Sequence, residues 1–294
     1  MSYSWLKRLY LRLPVVREIS QIKQALRSIQ VDMSSLQRTA AGEILGELRS
    51  RHSGGNDPLR LHGSEFQVCS QNGEDGVLAE IFRRIGSTDR IFVEIGVGDN
   101  GENNTSYLHA QGWTGFWIDG DNKSERILAG MRGRQEIRAR TAMVTRENIT
   151  PILKEMGVPG EFDLLSIDID QNTYHIWEGL GDYRPRVVVV EYNASIPPGI
   201  DWKVIYDPNA VWDGGINFGA SLTAFEMIGR KRGYSLVHCE AIGVNAFFVR
   251  SDLAIDNFAE PFDAKNHYEP PRYTLSHRSG HGPSILDRHI QPEN

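Results

Sequence analysis

Asp168, Asp170, Glu191 and Asn193 stand at or just beyond the ends of two apolar runs, 162–168 and 186–191. Carboxylate and amide oxygens gathered in this way are hard ligands of the kind that hold Mg²⁺ or another divalent cation. An ion held there can chelate two hydroxyls, lower the pKa of one and orient it, which makes Asp168 a candidate catalytic residue. The competing reading is that some of these acids cap helices while others bind substrate directly. His175 follows closely and is a candidate general base, since a neutral imidazole suits deprotonation of a hydroxyl. Its alternative is plainer: 174–177 begins a helix packed on a sheet, with His175 as a structural member.

A second group lies upstream. Residues 92–100 read Phe-Val-Glu-Ile-Gly-Val-Gly-Asp-Asn: a short apolar run, then Glu94, Gly96 and Gly98. Glycines at such a strand end let the backbone turn tightly and approach a ligand, whose polar groups then meet free N–H donors. Asp119 closes the next apolar run and suits acceptance of hydrogen bonds from ribose hydroxyls. Asp121 is the runner-up for that role, and a helix cap is the structural alternative for Asp119. Ala142 closes the run after that. Gly96, Gly98 and Gly101 also satisfy G-x-G-x-x-G, so the loop alone leaves a nicotinamide dinucleotide open, as well as a turn with no ligand.

These residues need a scaffold that brings strand ends together. The pattern alternates strand-like and helical runs: a helix over 74–84, a strand at 91–95, a helix at 105–111 and a strand at 115–119. A helix near 123–130, a strand at 137–142, a helix at 147–156 and a strand at 162–168 follow. A short helix at 174–180, a strand at 186–191 and a helix at 222–232 complete the alternation. That order predicts a doubly wound, mostly parallel sheet with helices on both faces. The runs 233–239 and 245–250 leave no room for a helix between them, so the seven-stranded sheet is expected to end in an antiparallel hairpin.

The closing hairpin separates this architecture from the dinucleotide fold, which ends in another crossover. With Ser-Gln-Asn-Gly-Glu-Asp-Gly (70–76), Phe-Val-Glu-Ile-Gly-Val-Gly (92–98), Ser-Ile-Asp-Ile-Asp (166–170), Val-Val-Glu-Tyr-Asn (189–193) and Gly-Val-Asn-Ala-Phe-Phe-Val (243–249), the chain resembles FkbM-like class I S-adenosylmethionine-dependent methyltransferases. It is also similar to metal-dependent sugar O-methyltransferases of the macrocin and mycinamicin type. The resemblance covers roughly 65–255 and implies S-adenosylmethionine as cofactor, held by Glu94, Gly96, Gly98, Asp119 and Ala142. It further implies Mg²⁺-assisted methylation of a hydroxyl on a glycan or sugar-containing metabolite. One departure is visible: the group more often has glycine where Gln171 stands and Asn-Asp where Asn172-Thr173 stand. The rival functions are a nicotinamide-dependent sugar oxidoreductase or epimerase, and an inactive oligomeric scaffold.

Around this domain, 65–255, lie three other segments. In 1–50, Val15, Ile19, Ile22, Leu26, Ile29, Met33, Leu36 and Ala40 repeat every 3.5 residues, the pattern of a coiled-coil seam and of self-association. The alternative is a stripe packed on its own domain. Trp5, Leu6, Leu9 and Tyr10 among Lys7, Arg8 and Arg12 suit peripheral contact with a membrane face, or simple solvation of a basic tail. Residues 51–64 read as a polar linker and 256–294 as a C-terminal extension with His267, His277, His281 and His289. The insertion 193–219, with Trp202, Tyr206 and Trp212, is long enough to suggest a substrate-binding loop, a local satellite core being the other reading.

The net charge of −6 gives no reason to expect nucleic acid, and two widely separated cysteines suggest neither zinc nor a disulfide framework. Both fit a reducing cytoplasm, at most peripheral to the inner face of the membrane. No apolar run approaches the roughly 20 residues of a membrane span.

Overall fold

Val187, Val188, Val189 and Val190 are all 0 % exposed, which a strand achieves only when both of its faces are covered. They belong to an inner strand of a seven-stranded sheet in a computed structural model that describes residues 14–52, 57–98, 103–122, 125–126, 137–212 and 214–275. Chain order is α1 (Pro14–His52), α2 (Glu74–Ile85), β1 (Ile91–Ile95), α3 (Ser106–Ala110), β2 (Thr114–Asp119), β3 (Ile137–Thr141), α4 (Ile149–Met156) and β4 (Glu161–Ile167). Then come α5 (Thr173–Glu178), β5 (Arg184–Glu191), α6 (Leu222–Lys231), β6 (Tyr234–Cys239), β7 (Asn245–Arg250), α7 (Ser251–Ala254) and α8 (Ala264–His267).

The strands lie in the order β3-β2-β1-β4-β5-β7-β6. β1 to β5 are parallel, and β7 pairs antiparallel with both β5 and β6. The chain first winds from β1 outward to β3, then returns to place β4 on the other side of β1. That reversal opens a crevice beyond the carboxyl ends of β1 and β4, the place where open α/β sheets bind ligands.

The period of two along each strand divides the core. Val93, Ile95, Leu165, Ile167, Val188 and Val190 pack on one face, with Trp177 and Phe225 from the helices above. Phe92, Leu164, Val187 and Val189 pack on the other, with Leu78 and Ile81 of α2. By the same parity Glu94 belongs to the second face. So do Asp168 and Glu191, one step beyond Ser166–Ile167 and Val189–Val190 in a register that pairs Ile167 with Val190. Parallel pairing therefore sets these two carboxylates side by side.

The outer segments differ from the sequence-based boundaries. α1 runs to His52, and the expected linker 51–64 already enters the core at Leu61 and His62. The reason is a buried network: Arg49 donates to Glu65 at 2.7 Å, and Glu65 also bonds His238 at 3.2 Å. Burial raises the Glu65 pKa, but His238 and Arg49 outweigh it and hold the carboxyl below its usual range. The first part of the expected extension is likewise built in, with Phe258, Ala264, His267 and Glu269 buried. His277, His281, His289, the basic segment 1–13 and most of the expected helix at 123–130 lie outside the described residues. Among the described residues no helix is long and apolar enough to cross a membrane.

Candidate functional site

Gly96 is the first residue past β1, and its φ of 85° falls where side chains are disfavoured. A Cβ there would stand 1.6 Å from the carbonyl oxygen of Asp168. Only glycine lets the ends of β1 and β4 come this close. Its N–H donates to the Ile118 carbonyl at 2.9 Å, so it braces the turn. Gly98, with a φ of 60°, has open space where a Cβ would stand. Its N–H donates to Asp119 Oδ2 at 2.7 Å, while the Asp121 N–H donates to Oδ1 at 2.9 Å. Each Asp119 oxygen keeps further acceptor capacity. Through these bonds Asp119 ties the loop after β1 to the turn after β2.

These residues line a cavity of about 340 Å³ over the sheet end, with Gly96, Gly98, Asp119 and Ala142 along one wall and Asp168 and Asp170 along another. Glu94 is not in that wall. Its face of β1 turns it under the loop, where it accepts from the Asn104 N–H at 2.8 Å, Asn103 Nδ2 at 3.1 Å and the Thr105 hydroxyl. Burial pushes its pKa up to about 7 despite these donors. Glu94, expected to bind a cofactor directly, is instead spent on shaping the loop after β1 and does not reach the cavity. Thr105, just before α3, gives its hydroxyl to Glu94 and so makes no side-chain cap of its own helix.

A second cavity of about 520 Å³ adjoins the first. Gln71, Ser195, Tyr273 and Phe218 line it, and Asp168, Asp170 and Trp212 line both. The junction is acidic. Asp168, Asp170 and Glu191 each present an oxygen within 4.8 Å of the others. Among the described residues lining either cavity there is no Lys, Arg or His. Burial and the neighbouring Asp170 charge push Asp168 up to about 6, a rise that a hydrogen bond with Glu191 partly offsets. Burial and the charges of Asp168 and Asp170 raise Glu191 well above its usual range, and burial raises Asp170. Glu191 Oε2 is buried without a hydrogen-bond partner. An unpaired carboxylate oxygen facing two further acids is a costly arrangement unless a proton or a cation occupies it.

Two expected members stand elsewhere. Asn193 is fully buried, its Nδ2 donating to the Ile216 and Phe218 carbonyls at 2.7 and 3.1 Å and its Oδ1 accepting from the Ser195 N–H. With its amide spent on pinning the 193–219 insertion, it is not a metal ligand. His175 lines neither cavity. Its Nε2 donates to the Val204 carbonyl at 2.9 Å, its Nδ1 has no hydrogen-bond partner, and its ring packs against Tyr206. The plainer reading of His175, a structural member of α5, is the one the geometry supports.

The insertion itself arches over both cavities through Trp212. Tyr206 anchors it by accepting from the Arg146 N–H, with the Arg146 guanidinium 4.4 Å from the ring centroid. Residues that sequence reasoning left without a role include Gln71, Ser195 and Tyr273. Gln71 had a signal, since it sits inside the 70–76 motif. There the acids shape the loop: Asp75 accepts from the N–H groups of Val68, Cys69 and Ser70, and Glu74 from Asn72. Tyr273 had none, because it reaches the cavity from beyond the expected domain boundary. Burial and the Glu191 and Glu240 charges push its phenol up to about 12.

No protein-family model and no curated protein matches the chain. Solved structures with a similar arrangement include a putative caffeoyl-CoA O-methyltransferase from Staphylococcus aureus, 13% identical with a TM-score of 0.41, covering 77% of this chain and 99% of that one. The 1,6-didemethyltoxoflavin-N1-methyltransferase of Burkholderia thailandensis, with S-adenosylhomocysteine bound, is 11% identical with a TM-score of 0.41, covering 73% and 90%. An S-adenosylmethionine-dependent methyltransferase from Mesorhizobium loti is 12% identical with a TM-score of 0.38, covering 59% and 95%. At these identities and scores the likeness carries no argument about chemistry, which rests on the geometry of the chain itself.

Proposed function

We propose that the chain is an S-adenosylmethionine-dependent O-methyltransferase acting on a sugar hydroxyl, with a divalent cation at Asp168, Asp170 and Glu191. The observation that carries this reading is the meeting of two cavities at those acids, beyond the carboxyl ends of the β1 and β4 strands. A strand order closed by an antiparallel β7, together with a glycine turn tied to Asp119, favours this cofactor over a dinucleotide.

The residues fit both groups. Gly96 and Gly98 leave room for close approach of a ligand to the backbone, and Asp119 retains lone pairs for two ribose hydroxyls. Bound there, S-adenosylmethionine supplies a methyl group on a positively charged sulfur. The three carboxylates, raised in pKa, unmatched by any lining cation and holding an orphaned Glu191 oxygen, suit a hard divalent ion. Such an ion supplies Lewis-acid polarisation of an acceptor hydroxyl. Asp168 lines both cavities and positions whatever spans the junction. The proton lost by the hydroxyl has its acceptor among these carboxylates rather than at His175. Trp212, Phe218 and Tyr273 offer ring faces to the apolar side of a sugar, and Gln71 and Ser195 offer hydrogen bonds to its hydroxyls.

Calorimetric titration of S-adenosylhomocysteine into the protein, with Mg²⁺ and again with chelator, tests the reading. Saturable binding that Asp119→Ala weakens at least ten-fold is expected. Absence of binding in both buffers sinks the cofactor assignment, and Mg²⁺ binding that Asp168→Asn leaves unweakened sinks the cation site.

A further inference from the structure

Among the described residues, nothing covers the apolar stripe of α1. Ile19, Ile22, Leu26, Ile29, Met33 and Leu36 are each between 48 and 71 % exposed. Over 19–36 the stripe therefore does not pack on the described residues of its own domain. Only its last third docks: Ala41 is buried, Arg49 bonds Glu65, and the helix packs on His62–Ser64 and Tyr273–Leu275. Six large apolar side chains on one face of a solvent-exposed helix call for a cover.

The spacing says what covers them. A period of 3.5 is matched by another helix of the same period, not by a flat surface or a groove made for a 3.6-residue repeat. Ile19, Leu26, Met33 and Ala40 take the a positions of the heptad, and Ile22, Ile29 and Leu36 the d positions. Charge then sets direction. The g positions hold Glu18, Ala25, Asp32 and Thr39, and the e positions that follow hold Lys23, Gln30 and Gln37. Parallel chains pair g with e of the next heptad, which matches Glu18 with Lys23 and Asp32 with Gln37. Antiparallel chains pair g with g and e with e, and no opposite charges then meet.

We propose that residues 15–40 of α1 pair in parallel and in register with the same segment of further copies of this chain. Because the C-terminal third of each helix is locked to its domain, the domains gather at one end of the bundle. Val15 to Ala40 rises about 38 Å, so the bundle stands off from the domains rather than between them. Several acceptor cavities held together in this way engage a repeating or surface-bound acceptor at raised effective concentration. The interface does not depend on the methyl-transfer reading, and its test uses no cofactor.

The full chain is expected to sediment as an assembly, and Ile22→Asp with Ile29→Asp to sediment as a monomer with an unchanged melting temperature. Lys23→Glu keeps the seam and is expected to weaken assembly about two- to five-fold, while Glu18→Lys in the same chain restores it. Ile19→Cys reports direction. In a parallel bundle it oxidises to a disulfide-linked dimer above the wild-type background, since Cys69 and Cys239 are buried. A wild-type chain that sediments as a monomer at all concentrations overturns the proposal, and so does an assembly in which Ile19→Cys does not cross-link.

Discussion

Asp163 and Asp168 lie five residues apart on β4 and its extension, and they have opposite fates. Asp163, near the amino end, is fully buried and accepts from the N–H groups of Thr88, Asp89 and Arg90, the Thr88 hydroxyl and Arg186 Nη1 at 2.8 Å. Burial raises its pKa, but Arg186 and the backbone donors outweigh it, and the carboxyl sits below its usual range. Asp168, at the carboxyl end, faces Asp170 and Glu191 instead and is pushed up to about 6. The amino end of the strand is meshed with a turn that saturates its acid. The carboxyl end, beside the topological switch, is left with acids that no described lining residue neutralises. Unsatisfied charge in a cavity marks where a ligand is expected, and satisfied charge marks where the fold is held.

The strongest way to break this contrast is Asp163→Asn. It leaves Arg186 buried beside a neutral amide, and a loss of about 3–5 kcal/mol in urea unfolding is expected. A loss within 1 kcal/mol of zero would mean that the pair is not a structural anchor. Asp168→Asn is the converse, removing one of three mutually repelling acids. Its Mg²⁺ affinity is expected to fall about 10- to 100-fold, while its stability at pH 7 equals or exceeds the wild type by about 1 kcal/mol. Clear destabilisation by this variant would make Asp168 a second structural acid.

The smallest effect is the pH dependence of that difference. A carboxyl with a raised folded pKa favours the folded state most below its unfolded value near 4, and the benefit is lost as pH rises through about 6. The advantage of Asp168→Asn over wild type should therefore shrink between pH 7 and pH 4. Asp163 runs the other way: its stabilisation is present above the unfolded value and lost as pH falls through its depressed folded pKa. Taken as differences, these curves cancel the contributions of His238 and His267, whose rings burial holds at about 4 and about 3. A difference for Asp168→Asn that does not change with pH would count against its raised pKa.

Much of this was legible before any coordinates. Four consecutive valines, glycine-bounded apolar runs and the missing helix between 239 and 245 determine a parallel sheet ending in a hairpin, because burial on both faces and chain length leave few other arrangements. Asp168, Asp170 and Glu191 were legible for a related reason, since strands paired in parallel must bring their carboxyl ends together. Asp119 and the two glycines followed from the same rule. The 3.5-residue repeat of α1 was likewise plain, as a periodicity is a property of sequence alone.

What tertiary structure decided is how each polar atom is spent. Glu94, Asn193 and His175 have the right types in the right neighbourhood, yet Asn103–Asn104–Thr105, Ile216 with Phe218, and Val204 claim their hydrogen bonds. Tyr273 reaches the second cavity only because the chain beyond β7 folds back along α1. A hydrogen bond depends on ångström-scale placement of a partner remote in the chain, whereas burial patterns tolerate much larger errors. Sequence therefore determined the sheet, its switch point and the acids that meet there, and the folded chain decided which of its polar side chains remain free to act.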